Sequence, residues 1–265
     1  MKDIMSDAHQ LFLAESAERV AAYPLDENWR EASDRWILYG FQRQYTYNFS
    51  WFGRPIIQLP QDMVALQEVI WAVKPDLIIE TGIAHGGSLV LSASMLALLD
   101  MCAAIEAGAK IDPGESARCV VGIDIDIRAH NRAAIEAHPM ASRIRMVQGS
   151  SIDPEIVSQI REMATGFKRV LVCLDSNHTH EHVLGELDAY TSLVTPESYC
   201  VVYDTVVEDL PKSTFPDRPW GPGNNPKTAV WEWLKSHPEF EIDRSIAAKL
   251  QLTAAPDGYL KRISV

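Results

Sequence analysis

The stretch from Asp76 to Leu99, D-L-I-I-E-T-G-I-A-H-G-G-S-L-V-L-S-A-S-M-L-A-L-L, constrains the fold more than any other part of the chain. An apolar run, Leu77 to Ile79, ends at the carboxylate of Glu80. Gly82, Gly86, Gly87 and Ser88 follow, and after them apolar residues recur at helical spacing. The pattern predicts a buried parallel strand, a tight turn and a helix N-terminus. Glycines let the backbone approach a ligand closely, and a helix start offers free N–H groups to a carboxylate or phosphate. The spacing E-x-G-x-x-x-G-x-S has no Lys after its last glycine, so it is not the phosphate loop G-x-x-x-x-G-K-[ST]. It also lacks the G-x-G-x-x-G of dinucleotide binders. A carboxylate directly ahead of the glycines suits a ligand with an ammonium group better than a pyrophosphate. S-adenosylmethionine (SAM) is such a ligand.

Around this core the chain reads as strand and helix in alternation. An amphipathic helix is predicted over residues 3–22, ended by Pro24. Residues 29–53 are aromatic-rich, and either pack an N-terminal extension or an interface, or wall a substrate pocket. Pro55 and Pro60 keep the next segment extended, and Asp62 is the expected cap of a helix from Met63 to Val73. Further strands are expected at Cys119–Asp124, Ile144–Val147, Arg169–Leu174 and Ser198–Tyr203. Helices are expected at Arg128–His138, Pro154–Met163, Glu181–Leu193 and Pro226–Lys235. Alternation over Phe240–Ile246 and Tyr259–Ile263, with a turn at Asp257-Gly258, predicts a closing antiparallel pair. Strand-then-helix units in series mean a parallel sheet with helices on both faces. The expected fold is therefore α/β, a doubly wound, mostly parallel sheet with an antiparallel C-terminal strand pair and a helical N-terminal extension. Residues 1–60 form that extension and residues 61–265 the main domain.

Composition narrows the function. The 265 residues carry a formal net charge of −12 and no long basic run, which argues against a nucleic-acid partner. The four cysteines lack C-x-x-C spacing and read as buried, reduced thiols. The start M-K-D-I-M-S-D has no apolar signal region, and no run reads as long enough to span a bilayer. A soluble, cytoplasmic protein is expected.

Glu80, Asp124, Asp175 and Asp204 each end a predicted strand, and Asp153 follows another. One such acid alone is equally a turn former or helix cap. Parallel topology brings the strand ends to one edge, where such sheets bind ligands, so together they mark a site.

The motifs E-T-G-I-A-H-G-G-S, V-V-G-I-D-I-D-I-R, V-L-V-C-L-D-S-N-H-T-H-E-H-V, V-V-Y-D-T and G-P-G-N-N-P-K-T-A-V-W resemble the cephalosporin hydroxylase family over about residues 50–263. Despite that name, the resemblance implies the Rossmann-like fold of SAM-dependent methyltransferases and a likeness to metal-dependent O-methyltransferases of macrolide sugars. It implies SAM as methyl donor, a divalent metal, usually Mg²⁺, and a homo-oligomeric enzyme. The acceptor implied is a hydroxyl of a small molecule, a sugar or secondary metabolite. Glu80, Gly82, Gly86 and Ser88 would then hold the methionine part of SAM. Asp124 would accept from the ribose hydroxyls. Ser150, Ser151 and Asp153 lie where the adenine edge is expected. Asp175 and Asp204 are the metal candidates, as hard oxygen ligands. His178 is the candidate general base, at the position of the catalytic His in the sugar enzymes.

Several readings stay open at this level. N-H-T-H-E-H is also a His-rich tract, in which His178 and His182 at i, i+4 suit zinc. The sugar enzymes carry Glu directly before the second strand-end Asp, where this chain has Tyr203, a poor Mg²⁺ ligand. Glu208 or Asp209 is a possible substitute. The loop 211–225 is long enough for a lid, with Trp220, Asn224 and Asn225 as closing residues. A nicotinamide-dependent oxidoreductase and a non-catalytic SAM-binding protein are the alternatives.

Overall fold

The computed structural model describes residues 7–263. Residues 3–6 of the first expected helix lie outside it. Helices α1 (Asp7–Ala22) and α2 (Glu27–Gln42) are separated by a 3-10 turn at Tyr23–Leu25. Asp26 starts α2 by accepting the Trp29 N–H at 3.0 Å, as an N-cap carboxylate does. A short hairpin follows, β1 (Phe49–Trp51) and β2 (Arg54–Ile56). The aromatic stretch divides by role. Trp36, Tyr45 and Phe49 stack edge to face as packing, while Phe41 and Tyr47 line a large cavity.

Helix α3 (Pro60–Val73) starts three residues before the expected Met63, with proline in its first turn. Asp62 is therefore not its cap. Its carboxylate is fully buried and accepts from the Thr253 hydroxyl, the Ala254 N–H at 2.8 Å and the Tyr259 hydroxyl at 3.1 Å. Burial pushes this carboxyl up to about 6.

The main sheet follows in order: β3 (Leu77–Thr81), β4 (Cys119–Asp124), β5 (Ile144–Gln148), β6 (Val170–Leu174) and β7 (Tyr199–Val202). Between them run α4 (Gly87–Ala107), α5 (Ala129–Glu136), α6 (Pro154–Ala164) and α7 (His180–Tyr190). After β7 come α8 (Pro226–Trp233), β8 (Phe240–Ile242), α9 (Arg244–Leu250) and β9 (Tyr259–Arg262). The spatial order is β5-β4-β3-β6-β7-β9-β8, with the first five strands parallel and β9 antiparallel between β7 and β8. The expected C-terminal pair forms, but the alternation stops at Ile242. Asp243 accepts the Ser245 N–H and opens α9 instead.

Period-two alternation explains the two layers. Ile78, Val120 and Leu171 face one apolar cluster with α3, α4 and α5; Leu77, Val121 and Val172 face another with α6, α7 and α8. The 21-residue α4 is, by length and composition, apolar enough to cross a membrane, contrary to the expectation from the sequence. Its Leu89, Val90, Ala93 and Leu96 are fully buried in this fold. All four cysteines are free, and three are buried.

The chain leaves β3 toward β4 on one side and later returns to β6 on the other. The switch point of the sheet therefore lies between β3 and β6, where ligands bind in doubly wound folds.

Candidate active site

At that switch point Gly82 has φ +88°, and a Cβ there would stand 2.0 Å from the Asp175 carbonyl oxygen. Only glycine lets the β3 and β6 ends approach this closely. Gly86, at φ +81°, precedes α4, and a Cβ on it would meet the Ile135 side chain at 2.3 Å. Ser88, in the first turn of α4, donates its hydroxyl to Glu80 Oε1. Glu80 is 3% exposed, and burial pushes its carboxyl up to about 7. A buried carboxylate beside free helix N–H groups fits an amino-acid ligand, whose ammonium pairs with the acid and whose carboxylate meets the N–H groups.

This carboxyl sets a pH dependence. Its folded pKa lies above the ordinary value of 4.5, so the folded protein holds an extra proton between 4.5 and about 7. Stability then falls as pH rises through that window. In thermal melts from about pH 5 to about pH 8, Glu80→Gln is expected to lose less Tm than the unaltered protein. Parallel curves would contradict the assignment.

Asp124 joins the same turn. Its Oδ2 accepts the Ile83 N–H at 2.8 Å and the Ala84 N–H at 3.2 Å, and its Oδ1 accepts the Asp126 N–H at 3.0 Å. A carboxylate has about four acceptor positions, so about one is left for a ligand hydroxyl rather than two. Asp124 thus fastens the turn to the end of β4. The opposite side of the turn is held by residues that sequence reasoning missed. Arg54 donates to the His85 carbonyl and to Asn131 Oδ1, and Asn131 donates to the Ala84 carbonyl at 2.9 Å. Ala84 is held at φ +45°, which a non-glycine residue adopts only when surroundings impose it.

Beyond β5, Ser151 is buried and its Oγ lies 3.0 Å from His182 Nε2. Asp153 is committed to α6, accepting the Glu155 N–H at 2.8 Å and the Ile156 N–H at 3.4 Å. Both bonds use Oδ1, so the helix cap occupies one oxygen of this carboxylate.

Asp175, His178 and Asp204 come together, with one ligand atom from each within 4.8 Å of the others. His178 Nε2 is 3.2 Å from Asp204 Oδ2. Burial first, and then the facing Asp204, push the Asp175 carboxyl well above its ordinary range. Two carboxylates held this close favour a cation between them. The donor set of two carboxylates and an imidazole fits a divalent ion. Asp204 adopts φ +56°, a second non-glycine residue in the left-handed region.

The cluster opens into a cavity of about 660 Å³, lined also by Phe41, Tyr47, Gln58, Phe215 and Trp220. A smaller cleft of about 50 Å³ runs along Gly82, Gly87 and Ser88 and shares Gln58, Ala84 and Asp175 with it. The glycine turn and the acid cluster thus line adjoining recesses.

Position separates the other candidate residues from the acid cluster. His178 precedes α7, so it shares no helical face with His182. His180 instead joins α7 to α8, with Nδ1 2.8 Å from the Thr228 hydroxyl and Nε2 3.3 Å from Glu232. Tyr203 is buried, its hydroxyl without a hydrogen-bond partner and pushed well above its ordinary pKa by burial. Glu208 accepts from the Gly223 N–H and Asn225, and Asp209 pairs with Lys227 at 2.6 Å. Neither replaces the missing carboxylate, which leaves Asp175 and Asp204 as the two carboxylates beside His178. In the long loop, Trp220 lies edge-on to His178 with centroids 5.2 Å apart. Asn224 accepts the His180 N–H and Asn225 caps α8, so both are structural.

A doubly wound sheet with a glycine cradle under a buried carboxylate, and an acid–imidazole cluster at the same strand ends, is the frame of a Rossmann-like methyltransferase. The chain belongs to the rhamnosyl O-methyltransferase/CmcI family, whose sequence profile matches residues 43–263. It is 28% identical over 206 residues to the rhamnosyl O-methyltransferase of Mycobacterium tuberculosis H37Rv, covering 76% of this chain and 73% of that one. To the rhamnosyl O-methyltransferase of Mycobacterium leprae it is 26% identical over 229 residues, or 84% and 89% of the two chains. A structure of CmcI with Mg and SAM superposes with a TM-score of 0.53 at 17% identity, over 82% of this chain and 78% of that one. This last likeness bears on the fold.

Proposed function

We propose that the protein is a SAM-dependent O-methyltransferase that acts on a sugar hydroxyl of a small molecule. One observation carries the reading: the glycine cradle above Glu80 and the Asp175–His178–Asp204 cluster lie at the switch point, against adjoining recesses that share Gln58, Ala84 and Asp175. When bound, SAM supplies a sulfonium methyl and a divalent cation lowers the pKa of the acceptor hydroxyl.

The chain's own residues do the rest. Glu80 and Ser88 hold the ammonium end of the donor, and Asp124 one ribose hydroxyl. Asp175 and Asp204 are the carboxylates for the cation. His178 Nε2 takes the acceptor's proton, and Asp204 Oδ2, 3.2 Å from that nitrogen, accepts a hydrogen bond from the protonated ring. Trp220 packs edge-on against that ring, and Phe215 against Trp220, which shields the site from water. Holding both reactants in attack geometry supplies much of the acceleration. A homo-oligomer belongs to the same reading, supported by the large apolar side chains exposed on the N-terminal segment, among them Leu11, Phe12, Leu25 and Trp29.

The test is transfer of a labelled methyl from SAM to a panel of free and glycosidic sugars, with and without Mg²⁺. Label is expected on a sugar oxygen, with stimulation by Mg²⁺ that Asp204→Asn abolishes. Methylation of amines or carbon acids alone would overturn the reading.

A further inference from the structure

The reaction above does not use Tyr203, although this residue directly precedes Asp204. The alternation of β7 sends Tyr199, Val201 and Tyr203 into the apolar cluster with α3, α4 and α5. Asp204 breaks that alternation, turning the chain at φ +56°, and both side chains line the large cavity. Tyr203 is 3% exposed, and its hydroxyl has no hydrogen-bond partner among the described residues. The Asp62 carboxylate, at the same cavity, is already engaged by Thr253, Ala254 and Tyr259. Gln58 and Thr214 line the cavity too, and Gln58 Oε1 and Thr214 Oγ1 are likewise buried without partners. Folded proteins pair nearly all their buried polar atoms, because an unpaired one costs free energy. Three of them around one cavity mark places for the oxygens of what enters it.

Charge and shape define those oxygens. A phenol keeps its proton at neutral pH, so Tyr203 offers a donor. Asp62, Asp175, Asp204 and Asp217 line the cavity against Arg218, which disfavours an anionic acceptor. A neutral hydroxyl remains, and it serves Gln58 and Thr214 as well, since it both gives and takes hydrogen bonds. An aromatic row runs from Phe41 to Phe215, with centroids 5.9 Å apart, then to Trp220 at 4.7 Å and to His178 at 5.2 Å. Such a row offers apolar surface to the C–H face of a sugar ring, while a few polar atoms fix the ring's orientation.

We propose that Tyr203 is a specificity-determining residue that donates a hydrogen bond to a free hydroxyl vicinal to the one that His178 deprotonates. Tyr203 adjoins Asp204, whose Oδ2 is 3.2 Å from His178 Nε2, so the second substrate oxygen lies beside the reacting one. The proposal rests on the O-methyltransferase reading given above and narrows it. The acceptor is a neutral sugar with a vicinal diol, and the hydroxyl next to the methylated position is unmodified.

The experiment compares the unaltered protein with Tyr203→Phe, which removes the hydroxyl alone. The probes are methyl hexopyranosides and their monodeoxy derivatives, assayed by transfer of a labelled methyl from SAM. For the unaltered protein, deoxygenation next to the methylated position is expected to lower kcat/KM about tenfold, mostly through KM. In Tyr203→Phe the parent sugar is expected to fall to the level of that deoxy sugar, and the difference between the two to vanish. Both proteins are expected to bind S-adenosylhomocysteine equally. A thermal melt without ligand adds a readout that needs no acceptor. Tyr203→Phe loses a buried group that has no partner in the fold, so its Tm is expected to equal or exceed that of the unaltered protein. A Tm lower by about 3 °C or more would mean that the hydroxyl is bonded within the fold, and would overturn the proposal. A deoxy penalty that persists in Tyr203→Phe would overturn it too, as would the absence of any penalty in the unaltered protein. Binding of S-adenosylhomocysteine without methylation of any sugar would instead overturn the sugar reading on which the proposal rests.

Discussion

Replacing His178 with Ala is expected to lower kcat by about 10²–10⁴ while leaving SAM affinity unchanged. The imidazole borders the large cavity and lies 3.2 Å from Asp204, but takes no part in the glycine cradle. A sugar hydroxyl is a weak acid, so an unassisted oxygen is a poor nucleophile at neutral pH. A base in hydrogen-bond reach removes that barrier as the new bond forms. Its partner Asp204 accepts a hydrogen bond from the ring once protonated, and the Trp220 edge limits the ring's rotation. His178→Gln keeps the polarity and loses the proton acceptor, so it is expected to fall nearly as far. The measurement is single-turnover methyl transfer at saturating SAM and acceptor. A loss of less than about tenfold would move the base elsewhere in the cavity.

Gly82→Ala is expected to abolish SAM binding and to destabilise the protein by about 3 kcal/mol or more. The added methyl would stand 2.0 Å from the Asp175 carbonyl oxygen, at a backbone φ of +88°. The obstacle is main chain, so no rotamer change relieves it. Either β3 and β6 separate at their C-terminal ends, or the turn from Gly82 to Ser88 rotates out of place. Both outcomes break the cradle, and the first also disturbs Asp175. In a chain of this length the loss corresponds to a Tm decrease of about 6–12 °C. Calorimetry with SAM and a thermal melt check both parts. A variant of unchanged Tm that still binds SAM would contradict the close approach.

These two residues were legible in the sequence for different reasons. Gly82 was marked by local pattern: an apolar run, an acid, then spaced glycines. His178 was marked by resemblance, and its partnership with Asp204 only by the rule that parallel strands end on one edge. The sheet was equally legible, since β3, β4, β6 and β7 are short apolar runs closed by an acid. The same rule could not say what each acid does there. Asp153 caps its own helix through Oδ1, while Asp124 accepts three backbone N–H groups around the turn. Asp62 looked like a helix cap because its partners, Thr253, Ala254 and Tyr259, lie some 190 positions away. Arg54 and Asn131, or Ser151 and His182, are likewise joined only by topology. Helix α4 reads as apolar on every side because the sheet, its neighbours and the turn cover much of it. Sequence periodicity carries the partition into strand and helix; the pairing of distant polar groups needs the folded chain.

On the proposed function, SAM binds across the turn that Asp124 fastens to β4. The most direct measurement is calorimetric titration with SAM, with and without Mg²⁺, on the unaltered protein and on Asp124→Ala. Removing this carboxylate frees the N–H groups of Ile83 and Ala84 as well as the ribose contact. Saturable binding is predicted for the unaltered protein, weakened about 100-fold or more in Asp124→Ala, since charge-assisted hydrogen bonds are worth about 1.5–3 kcal/mol each. No saturable binding by the unaltered protein, or equal binding by the variant, would contradict the claim.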